Sequence, residues 1–482
     1  MKNKSISKNA VLNAIKTVST IIFPLITFPY VSRVLKVENM GEYNYCASII
    51  SYFTLLAGLG INTYAIREGA MYRDDREKMS CFASEIFSIN FVATLVSYAL
   101  LFALIFFVPA MSEERIILLI LSISIVFTTI GCEWIFTIYE DFGYITIRSI
   151  TFQIISLILL FTFVHSKDDL VTYVILNVVA NSGACVVNFF SRRKYCSISF
   201  VFNKNMITRL VPIFILFANT IATTIYINSD MTMVGVFSGN YSAGLYSVST
   251  KLYFIIKNLL SAIIVVSIPR LAAYVGEKDI KKYNDSSQRI FNSLLVIVAP
   301  AVVGLFSISN NTIYIIAGKE YLEATLSLQI LSIALLFCLF GWFYTSCVLI
   351  PHKQEQKVLI ATITAASFNI CLNFILIPRW GHNAAAFTTV VAELISLLIC
   401  YYYGRKFFKC KLDCRDLISI VFGNIEIFII CKLANYIISD MLVSTIICVV
   451  LSGVCYVCTL KIAGNSTFDY LLKMMLNKAK KG

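Results

Sequence analysis

Charge is scarce in this sequence. Only 14% of its 482 residues are Asp, Glu, Lys or Arg, little more than half the share of a typical soluble domain. Histidine is scarcer still: His165, His352 and His382 lie far apart, a spacing that offers no metal site, and neither metal nor cofactor is expected. Long polar connections are missing too. One of the longest, "SRRKYCSISFVFNKN" (191–205), has no room for a folded domain, which argues against a membrane enzyme built on a large outer loop. No cleavable signal peptide is expected, because "MKNKSISKNAVLNAIK" runs into a full-length apolar span without a small-residue cleavage site.

What fills the chain instead is hydrocarbon. Hydrophobic residues make up 58%, in runs such as "NFVATLVSYALLFALIFFV" (90–108) and "ISLILLFTFV" (155–164). With about 20 apolar residues needed per crossing, fourteen transmembrane helices are expected, from 10–32 to 441–461. The fold class is therefore an all-α polytopic membrane protein.

The formal charge of +13 does not point to nucleic acid. Most Lys and Arg sit in short connections beside spans, where they set topology. With an inside N-terminus, 28 of the 40 fall in inner segments and 6 in outer ones. That bias predicts a multi-pass protein of the plasma membrane with both termini cytoplasmic. The fifteen cysteines, many inside spans, read as small apolar packers, including the Cys455-x-x-Cys458 pair.

A weak internal repeat matches "MGEYNYCA" (40–47) with "AGLYSVST" (243–250), pairing Gly41 with Gly244 and Tyr43 with Tyr246 at an offset of 203. Six spans precede the basic linker and six follow. The halves would enter in the same orientation, related by a pseudo-twofold along the membrane normal. The expected limits are 1–195 and 203–405 for two six-helix lobes, and 415–482 for two C-terminal helices and a basic tail.

Three spans carry one polar face each. At 100° per residue, Lys251, Lys257, Asn258, Ser247, Thr250 and Ser261 share an arc of about 120° on the eighth span. On the first, Lys16 lies near Asn9, Asn13, Thr17, Thr20, Pro24 and Thr27. On the seventh, Asn219, Thr223, Tyr226 and Asp230 recur at steps of four, three and four. Because a charge at mid-bilayer costs roughly 2.5–3.5 kcal/mol on insertion scales, such faces imply a shared wet interior rather than lipid contact. The lysines, with Asp230 the main acid among them, favour an anionic cargo. Glu133 and Glu393 are candidates for proton or ion coupling, although interhelical hydrogen bonding is the commoner role of a membrane carboxylate. Glu426 and Lys432 are expected to neutralise each other within the thirteenth span, and Glu85 to be interfacial.

"FPYVSRVL" (28–35), "GEYNYCASI" (41–49), "REGAMYRDDREKM" (67–79), "EWIFTIYEDFGYITIRS" (133–149) and "PRWGHNAAAFTTVVAE" (378–393) resemble the bacterial polysaccharide flippases of the O-antigen and capsule type. These share a superfamily with multidrug and toxic compound extruders and the lipid II flippase. The resemblance implies two six-helix lobes plus two helices, alternating access, and an undecaprenyl-diphosphate-linked oligosaccharide as cargo. It implies a cationic central cavity, for which Lys16, Lys251 and Lys257 are suited, and it aligns Arg33 with the arginine of the "SRVL" pattern as a gating or binding residue. It also implies membrane lipids, a glycan polymerase and glycosyltransferases as partners of a monomer. Two departures stand out: Lys36 replaces a glycine usual after "RVL", and Ala384 replaces a glycine common in the twelfth span. Lipid II as cargo and a drug or cation extruder are the alternatives; an extruder would want acidic groups where this chain has lysines.

Overall fold

A computed structural model describes residues 6–479, apart from some side chains. Those of Asn9, Asn13 and Asn219 are among the exceptions, so three polar positions singled out above lie outside the described residues. The described chain is helical and contains no strand. Its helices are α1 (Ile6–Gly58), α2 (Ile61–Gly69), α3 (Arg76–Phe107), α4 (Arg115–Gly131), α5 (Glu133–Ile138), α6 (Phe142–Phe163) and α7 (Leu170–Ser191). Then come α8 (Lys204–Gly276), α9 (Ile280–Ala317), α10 (Thr325–Phe343), α11 (Glu355–Gly404), α12 (Cys414–Ile437), α13 (Met441–Ile462) and α14 (Ser466–Ala479). Ten segments of the described residues are long and apolar enough to cross a membrane. Apolar side chains such as Phe107, Val266 and Ile437 stay largely exposed, as lipid contact requires.

The longest helices are not continuous. α1 breaks at Lys36 (φ 69°, ψ 174°), α8 at Gly239 (φ 77°, ψ 178°) and α11 at Gly381 (φ 55°, ψ −136°). The first two breaks have nearly identical geometry and are separated by the same 203 residues as the sequence repeat. Five residues after each comes the matched glycine. A Cβ on Gly41 would stand 1.7 Å from the Asn240 carbonyl oxygen, and one on Gly244 2.0 Å from that of Val37. Both collisions are with backbone, so neither position tolerates a side chain without moving a helix.

Packing divides the chain into two compact units between Gly244 and Leu245. In the first, a core of Phe82, Trp134, Phe136, Tyr139 and Tyr195 ties α2, α3 and α5 to the segment after α7. That segment is extended, and a row of serines on α3 holds it. The amides of Ser197, Ser199 and Val201 donate to the hydroxyls of Ser80, Ser84 and Ser88 at 3.0, 3.1 and 3.0 Å. The fit is metrical: two extended residues advance about 6.6–6.8 Å, and four helical residues about 6.0 Å. Asn203 and Arg209 close the row by donating to the two oxygens of Glu85 at 2.8 and 2.7 Å. Glu85 is 1% exposed, so this carboxylate is an internal clamp rather than a surface charge.

In the second unit, Phe291, Phe340, Phe343, Tyr344 and Phe408 form an aromatic core where α9, α10 and the end of α11 meet. The helices α12 and α13 pack on α9, with the Tyr456 hydroxyl donating to the Val296 carbonyl at 2.9 Å. The Tyr456 ring lies over Gly423, where a Cβ would come within 2.5 Å of it. Glu426 accepts from the Thr459 hydroxyl of α13 at 2.5 Å. It does not pair with Lys432, because six residues at 100° each place the two on different helix faces. The expected intrahelical neutralisation is thus replaced by an interhelical hydrogen bond.

Candidate functional site

In the first unit, polar groups from α1, α5, α6 and α7 converge. A left-handed residue, Cys132 (φ 41°, ψ 43°), ends α4 and sets Glu133 in the first turn of α5. Lys16 on α1 donates to Glu133 Oε1 at 2.8 Å, and Arg148 Nη2 on α6 lies 3.5 Å from Oε2. Arg148 Nη1 also donates to Asn188 Oδ1 on α7, and its guanidinium lies 5.7 Å from the Tyr144 ring centroid. Two cations share one carboxylate, so the cluster keeps a net charge of +1. The buried Nε of Arg148 and Nδ2 of Asn188 are donors with no hydrogen-bond partner among the described residues. An acceptor-rich ligand or water would satisfy them.

The structure therefore joins two residues that the sequence offered separately, Lys16 and Glu133, and adds Arg148, which the sequence analysis did not single out. A signal was present: Arg148 falls inside an apolar run, four residues after Tyr144, where a helix places the two side chains on one face.

The second unit has its own cluster. On α8, the Lys257 ammonium lies 5.7 Å from the ring centroids of both Tyr253 and Phe254, and beside Cys338 and Glu393. The buried Tyr253 hydroxyl donates to Glu393 Oε1 at 3.5 Å. Glu393, a candidate for ion coupling, thus lies within electrostatic reach of Lys257. Lys251, half-buried one and a half turns earlier, has no ion-pair or hydrogen-bond partner among the described residues. Asn258 is exposed, and its carbonyl accepts from Ser261 at 2.8 Å. On α11, Asn369, Asn373 and Thr388 form a buried chain of hydrogen bonds of 2.5–3.4 Å. Of the other singled-out residues, Asp230 is buried within the first unit and Arg33 is exposed near the end of α1 before its break. Among the described residues, no group of His, Cys, Asp and Glu could hold a metal.

Residues 6–275 match the family described as "Polysaccharide biosynthesis protein". The chain belongs to that family. Along 84% of its length it is 23% identical to a putative O-antigen transporter of Escherichia coli K12, covering 99% of that protein. It is 24% identical over 77% of its length to the capsular polysaccharide biosynthesis protein CapF of Staphylococcus aureus, covering 92% of it. Among solved structures, an inward closed lipid II flippase MurJ superposes with a TM-score of 0.72 at 17% identity, covering 94% of this chain and 99% of that one. An inward-facing multidrug transporter of the MATE family follows at 0.60 and 14%, covering 83% and 97%. These superpositions show that the chain shares the fold of those two transporters.

Proposed function

We propose that this membrane protein is a flippase carrying a polyprenyl-diphosphate-linked oligosaccharide from the cytoplasmic to the outer leaflet of the plasma membrane by alternating access. Its curated relatives include transporters, and the protein is a transporter rather than an enzyme. Each sugar hydroxyl moved bare into hydrocarbon costs on the order of 4–8 kcal/mol, so an unassisted glycan faces a prohibitive barrier. No bond need be made or broken; the protein has only to offer polar contacts along the way.

The observation that carries the reading is the sign of the charge in each of the two clusters. Lys16 and Arg148 outnumber Glu133, and Lys257 and Lys251 outnumber Glu393. An extruder of cations would reverse that balance. Lysine suits a phosphate that must be released, because it is a mobile point charge rather than a rigid bidentate fork. The limits 1–195, 203–405 and 415–482 for two lobes and two C-terminal helices belong to the same reading, as do Asp230, Asn258 and Arg33 as cargo contacts. So does the count of fourteen crossings. Three of the ten apolar segments are long enough to cross twice, and Arg115–Gly131 adds a shorter one. The recurring break at Lys36 and Gly239 supports the repeat.

In cells depending on this protein for surface glycan, Lys257→Ala lowers export at least tenfold at unchanged protein level, and Lys257→Arg keeps part of it. Full export by the alanine variant overturns the assignment.

A further inference from the structure

The segment "YYYGRKFFKCK" (401–411) holds a pocket unrelated to either cluster above. α11 ends at Gly404, and the chain then lays Arg405, Lys406, Lys409 and Lys411 around a cavity of about 440 Å³ closed on its other side by the first turns of α9. All four cations are exposed, and none is ion-paired with a carboxylate among the described residues. Asp285 is the acid in the lining, so the cavity is strongly positive.

Loops that merely orient a membrane protein need charge but no fixed shape. This one is fixed at three points. Phe408 is 2% exposed, inserted into the aromatic core against Phe343 at 5.7 Å. Phe407 stacks on His352 at 4.3 Å. Gln288 grips the backbone of Lys411 twice, donating to its carbonyl at 2.7 Å and accepting from its amide at 2.9 Å. The cations are thus presented around a preformed hollow, which lowers the ordering cost of binding.

Depth identifies the ligand. Tyr401 and Tyr402 are exposed just before the basic run, and an aromatic belt marks the headgroup level of a bilayer. The Arg405 guanidinium rests on the Tyr402 ring at 4.6 Å, and Ile280 at the rim is 71% exposed. A basic pocket at that depth with an apolar rim suits a lipid phosphate. We infer that residues 405–411 and the start of α9 form a binding site for a lipid that carries two phosphate groups. That feature is shared by a diphosphatidyl phospholipid, as two phosphodiesters, and by a prenyl diphosphate. The site does not depend on the cargo reading: a protein that failed the Lys257 test would still bind here.

The test is titration of the detergent-purified full chain, read by native mass spectrometry, with cardiolipin, farnesyl diphosphate, phosphatidylcholine and inorganic pyrophosphate. R405Q/K406Q/K409Q/K411Q is expected to weaken binding of the preferred one of cardiolipin and farnesyl diphosphate at least tenfold. A control removing four cations elsewhere, K78Q/R193Q/K194Q/K204Q, is expected to change it less than twofold. K406R/K409R/K411R keeps the charge and is expected to keep binding, which separates the site from a folding defect. Tighter cardiolipin binding identifies the phospholipid source, and tighter farnesyl diphosphate binding the prenyl source. Equal losses in both charge-removed variants, no loss in the first, or pyrophosphate binding as tightly as either lipid would overturn the proposal.

Discussion

Gly239 offers a clean measurement of backbone strain. Its φ of 77° and ψ of 178° lie in a region that is almost exclusively glycine's, and a residue with a Cβ there costs about 1–3 kcal/mol. A Cβ built on Gly239 meets nothing within 4 Å, so Gly239→Ala carries the conformational penalty without a packing penalty. In a unit of about 150–250 residues, 1 kcal/mol moves Tm by about 2–4 °C; the alanine variant should melt roughly 2–12 °C lower. Gly304→Ala is the matched control. That glycine also has open space around its Cβ position but lies mid-helix with ordinary φ, so alanine there should stabilise by about 0.5–1 kcal/mol. The reciprocal variant is Lys36→Gly, which replaces a lysine held at φ 69° and ψ 174°. Relief of about 1–3 kcal/mol exceeds or balances the entropy added to the unfolded chain, so this variant should melt no lower than the parent. The readout is thermal unfolding of the detergent-solubilised protein by intrinsic fluorescence. If Gly239→Ala and Gly304→Ala shift Tm in the same direction, the strain argument is wrong at both breaks.

Two other outcomes follow from the geometry. Glu85→Ala strands the Arg209 guanidinium and the Asn203 amide inside the first unit, and breaking a buried pair in this way costs about 3–5 kcal/mol; a loss below about 1 kcal/mol in denaturant titration would refute the clamp. Cys81 and Cys414 are exposed near the starts of α3 and α12, at ends that the placement of basic residues assigns to the cytoplasmic side. A membrane-impermeant maleimide at pH 7 should label them in inside-out vesicles and spare them in intact cells. Cys196 should stay unlabelled in both, because burial pushes its thiol up to about 11 and keeps it protonated; labelling of Cys81 from outside would reverse the topology.

The flagged departure at Lys36 shows how sequence and structure inform each other. A lysine stands there where the resembled family usually has glycine. The structure reveals a positive-φ break there, and another at Gly239, where the residue is glycine. At Gly41 and Gly244, backbone from another segment passes where each side chain would be.

Hydropathy and the placement of basic residues were sufficient to establish a polytopic membrane protein, and helical periodicity to find which face of each span is polar. Both are local properties, written in residues three or four apart. The partner of each polar group was not written there. Lys16 meets Glu133 across 117 positions, Glu85 is clamped by Arg209 across 124, and Glu426 turns to Thr459 rather than to nearby Lys432. Periodicity orients a side chain, whereas only helix packing decides which charge it faces; that choice turned solitary lysines and carboxylates into clusters with a net sign.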